Sequence, residues 1–286
     1  ISGANLHRNW VVIPHVTTHD EADITDLEAF RVQMNKELEK SGVKVSMLPF
    51  MMKAAVATLK KFPEFNASLD GDALVLKNYW HIGFAADTPN GLMVPVIRDV
   101  DSKNIVEITK EMGDLAKLAR DGKLKPDQMS GGTFTISSLG GIGGIYFTPI
   151  INAPEVSIMG VCKSYWKQHS SDGKTSAWRL TLPLSLSWDH RVIDGAAAAR
   201  FNVHFARQIM EAQPLGKTRA HQRALVIGKR NAAVCVDEFA QLPELVEIAR
   251  GGGDHHGDVL GARVRPEDLN EGPRLDQGAG LVEEDH

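Results

Sequence analysis

Leucines stand at positions 180, 182, 184 and 186 in the run Trp-Arg-Leu-Thr-Leu-Pro-Leu-Ser-Leu-Ser at residues 178–187. That strict alternation predicts a strand with one buried face. Within ten residues the period changes. From Gly195 the chain is Ala-rich, and Phe201, Phe205 and Ile209 recur every four residues, the spacing of one helix face. A buried strand passing directly into an amphipathic helix constrains the chain to sheet layered with helix. The junction itself reads Ser185-Leu-Ser-Trp-Asp-His-Arg-Val-Ile-Asp-Gly195. It carries one His and one Asp four residues apart, His190 and Asp194, at the kind of rigid corner that can hold a general base.

The remaining pattern supports the same class. Residues 10–18, Trp-Val-Val-Ile-Pro-His-Val-Thr-Thr, read as a strand with Pro14 at an edge or bulge. Thr25-Asp-Leu-Glu28 reads as a capping box opening a helix whose stripe is Leu27, Phe30, Met34 and Leu38, with Gly42 as its stop. Ser46 reads as the N-cap of a second helix, apolar on nearly all sides and therefore buried, which Pro63 ends. Residues 73–76, 80–86 and 92–97 read as strands, the last two joined by Thr88-Pro-Asn-Gly91. Ser102 is the expected cap of a helix reaching Leu118. Residues 133–137 form a strand that enters Ser138-Leu-Gly-Gly-Ile-Gly-Gly144, and residues 155–162 form another. Helices alternate loosely with strands and hairpins occur, so the expected fold is α/β, a mixed sheet covered by helices in two layers.

Composition excludes several classes. The chain has 286 residues, is 43% hydrophobic and carries a net charge of −4, the make-up of a soluble globular protein with no basic nucleic-acid surface. No run approaches the ~20 apolar residues of a membrane span. The N-terminus shows no secretory signal and, lacking an initiator Met, reads as cut from something longer. Cys162 and Cys235 cannot frame a disulfide scaffold and point to a reducing compartment. Cys162, in an apolar run, reads as a buried inert thiol. Residues 213–286 hold 9 Lys+Arg against 13 Asp+Glu, whereas the rest of the chain is balanced, and this end is Gly-rich. Two units are therefore expected: residues 1–212, and an acidic tail at 213–286.

Several chemistries fail on spacing. Gly140, Gly141, Gly143 and Gly144 suggest a dinucleotide loop, but the third glycine of Gly-x-Gly-x-x-Gly would fall on Tyr146. Ser138 lacks the Gly-x-Ser-x-Gly elbow of a serine hydrolase. Asp254-His-His256 has no spaced partners, and His190 with Asp194 lacks a third ligand, so no metal is expected.

His190-Arg-Val-Ile-Asp194-Gly195 resembles the active-site signature shared by dihydrolipoamide acyltransferases, the E2 components of 2-oxo-acid dehydrogenase complexes, and chloramphenicol acetyltransferases. The resemblance to the former extends in order through Pro14-His-Val-Thr, Leu48-Pro-Phe-Met-Met-Lys-Ala-Ala, Phe62-Pro-Glu-Phe-Asn-Ala-Ser, Gly91-Leu-Met-Val-Pro-Val, Gly132-Thr-Phe-Thr-Ile-Ser-Ser-Leu-Gly and Asn152-Ala-Pro-Glu-Val. It covers roughly residues 1–205, and the bacterial pyruvate type is the nearest likeness.

The resemblance implies a chloramphenicol acetyltransferase-like fold and acetyl transfer from acetyl-dihydrolipoamide to coenzyme A. It implies His190 as the base and Ser138 as the oxyanion donor. Asp194, just before Gly195 and the helix, reads both as an ordinary N-cap and as a group that orients the site, with Arg191 or Arg8 open as its partner. Arg31, Ser46, Asp87 and Ser137 would hold coenzyme A, and the lipoyl group would arrive on a separate domain. Further implied are a trimer with its site between subunits, trimers built into a cube of 24 subunits or a dodecahedron, E1 and E3 components met through other domains, and a bacterial cytoplasmic location. Three rival readings stay open: a chloramphenicol-type acetyltransferase using a hydroxyl acceptor, a non-catalytic scaffold, and transfer of succinyl or branched-chain groups. The stretch after residue 212 departs from the family pattern, which puts the 24-subunit core in doubt.

Overall fold

The computed structural model describes residues 2–89, 91–170 and 172–211, together with the short strand Arg263–Val264. The acidic tail expected at 213–286 otherwise lies outside the described residues, as do Cys235 and the His pair near 255.

The chain runs α1 (Ser2–Val12), β1 (His15–Asp23), α2 (Thr25–Leu38), α3 (Leu48–Lys61), β2 (Ala67–Asp70), β3 (Ala73–Leu76), β4 (Ile82–Phe84), β5 (Ala86–Thr88), β6 (Gly91–Met93), β7 (Val96–Ile97), α4 (Ile105–Arg120), β8 (Phe134–Ser138), β9 (Ser157–Val161), β10 (Tyr165–His169), β11 (Ala177–Asp189), α5 (Gly195–Glu211) and β12 (Arg263–Val264). The main sheet has the order β1-β11-β9-β8-β4-β7, with β10 also paired to β11. Strand β8 is parallel to β4 and to β9, and the other pairings in this sheet are antiparallel. The expected mixed sheet with helices is observed. Hairpin β5–β6 closes the Thr88–Gly91 turn, so the two strands read at residues 80–86 and 92–97 are each divided between the main sheet and this ribbon.

The 13-residue β11 is the spine of the sheet. Leu182, Leu184 and Leu186 face a core shared with α3 and α5, where Phe201 stacks on Phe65 with ring centroids 4.1 Å apart and lies 5.9 Å from Phe134. The other face of β11 is buried as well, contrary to the one-sided burial that the alternation suggests: Thr181, Ser185 and Ser187 are all inaccessible. Their hydroxyls are satisfied across strands, Ser187 with Thr17 at 2.7 Å and Ser185 with His19 at 3.0 Å. Polar groups can be buried at little cost when they find such partners.

Four local expectations are corrected. Residues 10–12 belong to helix α1 and not to a strand; the helix stops at Val12 and the strand starts at His15, because the position before Pro14 disfavours helical backbone. Thr25 does not close a capping box: its hydroxyl donates to Asp23 Oδ1 at 2.6 Å, and the cap position is Ile24. Ser46 is one residue too early, since Met47 precedes α3 and makes no side-chain cap. Asn104, not Ser102, opens α4: it accepts from the Glu107 N–H, while the Glu107 carboxylate accepts from the Asn104 N–H.

Candidate active site

The His190 corner is held tightly. Backbone N–H of Asp189 donates to Val156 O at 2.9 Å, and that of His190 to Pro14 O at 3.1 Å. The carbonyl of Asp189 accepts from Val192 and Ile193, which closes a tight turn around His190. Asp189 is buried, and its carboxylate takes the Arg191 guanidinium from two sides, Nε to Oδ1 at 2.9 Å and Nη2 to Oδ2 at 2.6 Å. His190 itself is exposed, so it is not a core histidine at a strand end.

Arg191 is therefore the partner of Asp189, not of Asp194. The Asp194 carboxylate accepts the Ala197 N–H at 2.7 Å and caps the first turn of α5. Arg8 lies with Asn9, Glu155, Asp189 and Arg191 around a cleft of about 240 Å³ beneath this corner.

Ser137 and Ser138 end β8, Ser137 half-buried and Ser138 exposed. Ser138 Oγ accepts the Gly140 N–H at 3.4 Å, so its own O–H is available as a donor. The loop that follows turns through Gly143 and Gly144 at φ of 153° and 82°, where a side chain would be strained. The Ala85 N–H donates to Ile136 O, so Asp87 leaves the sheet beside the same end of β8. Burial raises the Cys162 thiol above its ordinary range, in keeping with an inert residue.

Arg31 and Ser46 form a second pair. The Arg31 guanidinium is held by Glu28 through Nε at 2.8 Å and Nη2 at 2.7 Å, and its Nη1 donates to Val45 O at 2.9 Å, next to Ser46. Two of its five N–H groups remain. With Lys36 and Lys44 it lines a cleft of about 490 Å³, a donor set suited to an anionic group.

Register fixes the distance between the two ends. Ser138 lies opposite Val161, and Val161 opposite Leu184, six residues short of His190. At ~3.3 Å per residue and ~4.8 Å between strands, the two residues of one chain are on the order of 20 Å apart. No hydrogen-bonded relay between them is available within one chain.

Sequence reasoning passed over two buried ionisable groups. Lys53 on α3 donates to the carbonyls of Val100, Asp101 and Lys103 at 3.0, 3.0 and 2.9 Å, and burial pushes its ammonium below the usual range. Glu155 accepts from Thr135 Oγ1 at 2.8 Å and from Asn152 Nδ2 at 3.2 Å, and burial pushes its carboxyl up to about 8. A lysine on an otherwise apolar helix and a Glu beside Pro154 were the available signals. Among the described residues no cluster of His, Cys, Asp or Glu is placed to hold a metal ion, and no helix is long and apolar enough to cross a membrane.

The family model of the 2-oxoacid dehydrogenases acyltransferase catalytic domain matches residues 2–216. The chain belongs to this family. It is 76% identical over 211 residues to the dihydrolipoyllysine-residue acetyltransferase component of the pyruvate dehydrogenase complex of Cupriavidus necator, covering 74% of this chain and 38% of that relative. It is 55% identical to the corresponding component of Pseudomonas aeruginosa, covering 75% of this chain and 40% of that relative. The chain thus spans about two-fifths of the length of these curated relatives. Among solved structures it resembles the dihydrolipoamide acetyltransferase of Azotobacter vinelandii, with 53% identity and a TM-score of 0.72 over 73% of this chain and 87% of that one. It matches the cubic core of the pyruvate dehydrogenase multienzyme complex with the same figures.

Proposed function

We propose that residues 1–212 are an acetyltransferase unit that moves acetyl from dihydrolipoamide to coenzyme A in the core of a pyruvate dehydrogenase complex. The observation that carries this reading is the exposed imidazole of His190 on a clamped strand-to-helix corner, within a chain 76% identical to such a component. A serine, a histidine and an asparagine studied in the catalytic mechanism of the Azotobacter vinelandii enzyme have the same spacing along the chain as Ser138, His190 and Asp194. Asp194 stands where that enzyme has asparagine. An amide oxygen caps a helix as well as a carboxylate does, which favours a positioning role for this residue.

A free thiol, ionising near pH 8.5, is only a few per cent thiolate at pH 7, so a placed base contributes directly to rate. His190 takes the proton from the coenzyme A sulfur as that sulfur forms a bond to the thioester carbonyl carbon. Ser138 donates to the resulting oxyanion. As the intermediate collapses, the bond to the lipoyl sulfur breaks, and His190 returns the proton to that sulfur. No acyl-enzyme is required. Because the two groups of one chain lie on the order of 20 Å apart, His190 of one subunit faces Ser138 of another. This supports a trimer with sites between its subunits, and the likeness to a cubic core supports assembly of trimers into 24 subunits. Arg31, Ser46, Asp87 and Ser137 would hold coenzyme A, with Arg31, Lys36 and Lys44 offering charge to its phosphates. The lipoyl domain and the E1 and E3 components would be the further partners, in a bacterial cytoplasm.

Assaying the protein with acetyl-dihydrolipoamide and coenzyme A, with light scattering on the same sample, tests the reading. Acetyl-CoA formation by a trimer or larger assembly is expected. Transfer to chloramphenicol instead, or an assembly with no transfer to either acceptor, rejects it. Succinyl and isobutyryl donors run in parallel read acyl specificity.

A further inference from the structure

His190 sits between two residues of opposite charge that are joined to each other and not to it. The Asp189 side chain is 3% exposed and that of Arg191 45% exposed, so the carboxylate is walled in while the guanidinium reaches solvent. The Arg191 backbone N–H also donates to Asp189 Oδ1, at 3.0 Å. Side chain and backbone together thus tie residue 189 to residue 191 around the intervening His190. The residue just before β9 holds the same corner through Val156 O, and the segment before β1 holds it through Pro14 O.

We infer that the Asp189–Arg191 pair is a positioning device for His190, which fixes the pitch of the turn that presents the ring and cancels the charges of the two residues that flank it in the chain. The inference rests on the base role proposed above for His190. A bidentate fork fixes orientation as well as distance, which an ammonium on a flexible stem does not. The other charged or titratable groups around the corner are Arg8 on α1, His15 on β1, Glu155 before β9, and Asp194 at the head of α5. Glu64 lies further along, within electrostatic reach of Arg200 and Asp194. In the described residues the side-chain hydrogen bonds to the Asp189 carboxylate come from Arg191 and from none of these groups. Removing one member of the pair leaves the other's charge uncompensated on a residue adjacent to His190 in the chain, and the sign of the effect depends on which is removed.

Geometry and charge are separable by substitution. Arg191→Lys keeps the charge and loses the fork; kcat is expected to fall about tenfold, with KM for coenzyme A within about twofold and the acid limb of the pH profile unmoved. Arg191→Gln leaves a carboxylate beside the ring and is expected to move the acid limb up by about half a pH unit. Asp189→Asn leaves a cation there and is expected to move it down by a similar amount. The double variant Asp189→Asn/Arg191→Gln returns the limb to its original position while kcat stays low. Arg191→Lys, changing a solvent-reaching side chain, keeps the test open if Asp189→Asn does not fold. Wild-type kcat in Arg191→Lys, or shifts of the same sign in the two single neutralising variants, overturns the inference.

NMR titration of the His190 ring, assigned with His190→Ala, separates two failures. Opposite ring shifts with no counterpart in the activity profile uphold the pair and reject His190 as the base. An unmoved ring, with activity abolished in His190→Ala, rejects the pair's electrostatic role and upholds the base.

Discussion

At one end of the central sheet His190 sits in a turn closed by carbonyls, backbone N–H groups and a two-pronged ion pair. At the other end Ser138 leads into a loop of four glycines, whose start is held by Leu139 N–H on Val161 O at 2.8 Å and by a turn on Leu139 O. The Ser138 hydroxyl itself has only a 3.4 Å contact from Gly140, and Ile142 and Ile145 are exposed beyond it. The contrast matches the roles proposed for the two groups. A base must keep one orientation through two opposite proton transfers, and misplacement by about 1 Å can cost 10²-fold in rate. A hydroxyl that donates to a developing oxyanion has a rotor to adjust, and a neighbouring surface can order the loop around it. Side-chain clamping is built into the fold at the His end; at the Ser end the exposed Gly-rich loop is where the proposed neighbouring subunit would provide it.

The sharpest way to break this comparison is His190→Ala, expected to lower kcat by at least ~10² with assembly unchanged. Steady-state acetyl-CoA formation reads the rate, light scattering reads the assembly, and a loss below threefold would remove His190 from the mechanism. Ser138→Ala is expected to cost ~10². Subunits of the two variants, unfolded and co-assembled, should regain part of the lost activity, because some sites then pair an intact His190 with an intact Ser138 from different chains. No recovery in verified mixed assemblies would place both groups of each site in one chain.

Glu155, at the His end, gives a smaller effect. Its folded-state carboxyl, raised to about 8 by burial, lies above the unfolded value of 4.5. Its contribution to stability is thus fully present below about pH 4.5 and is lost as the pH rises through about 8. Glu155→Gln removes the ionisation, so the variant should gain on the wild type across that window, by on the order of a few kcal/mol at its upper end. Denaturant midpoints at several pH values measure it, and parallel pH dependences would show that the carboxyl is not held neutral. Asp194→Asn should change kcat less than threefold, since the amide oxygen can still accept from Ala197. Asp194→Ala should cost ~1 kcal/mol of stability through the lost cap, readable as a lowered Tm.

How much of this was legible in the sequence differs between the same two ends. Strand β11 and helix α5 follow from the leucine alternation and the four-residue spacing of Phe201, Phe205 and Ile209, and the His190 corner falls out between them. The Ser138 strand and its glycines were equally visible. Their distance from His190 was not, because it depends on the register of three strands, and register is set by tertiary pairing. The same limit hid the two-sided burial of β11, where Ser187 meets Thr17 from 170 positions away. Trp10, Val11 and Val12 looked like strand residues by type, yet all three lie exposed on helix α1. Intrinsic β-propensity is a weak guide where no sheet is there to receive the side chains.

The placement of base and hydroxyl at opposite ends of β11 and β8 also has a consequence for concentration. On the proposed mechanism a lone subunit cannot bring His190 and Ser138 to bear on one thioester, so turnover per chain should obey mass action, vanishing on dilution below the dissociation constant and returning on reconcentration. On that reading a newly made, unassembled chain spends no coenzyme A, and the safeguard lies in the architecture itself.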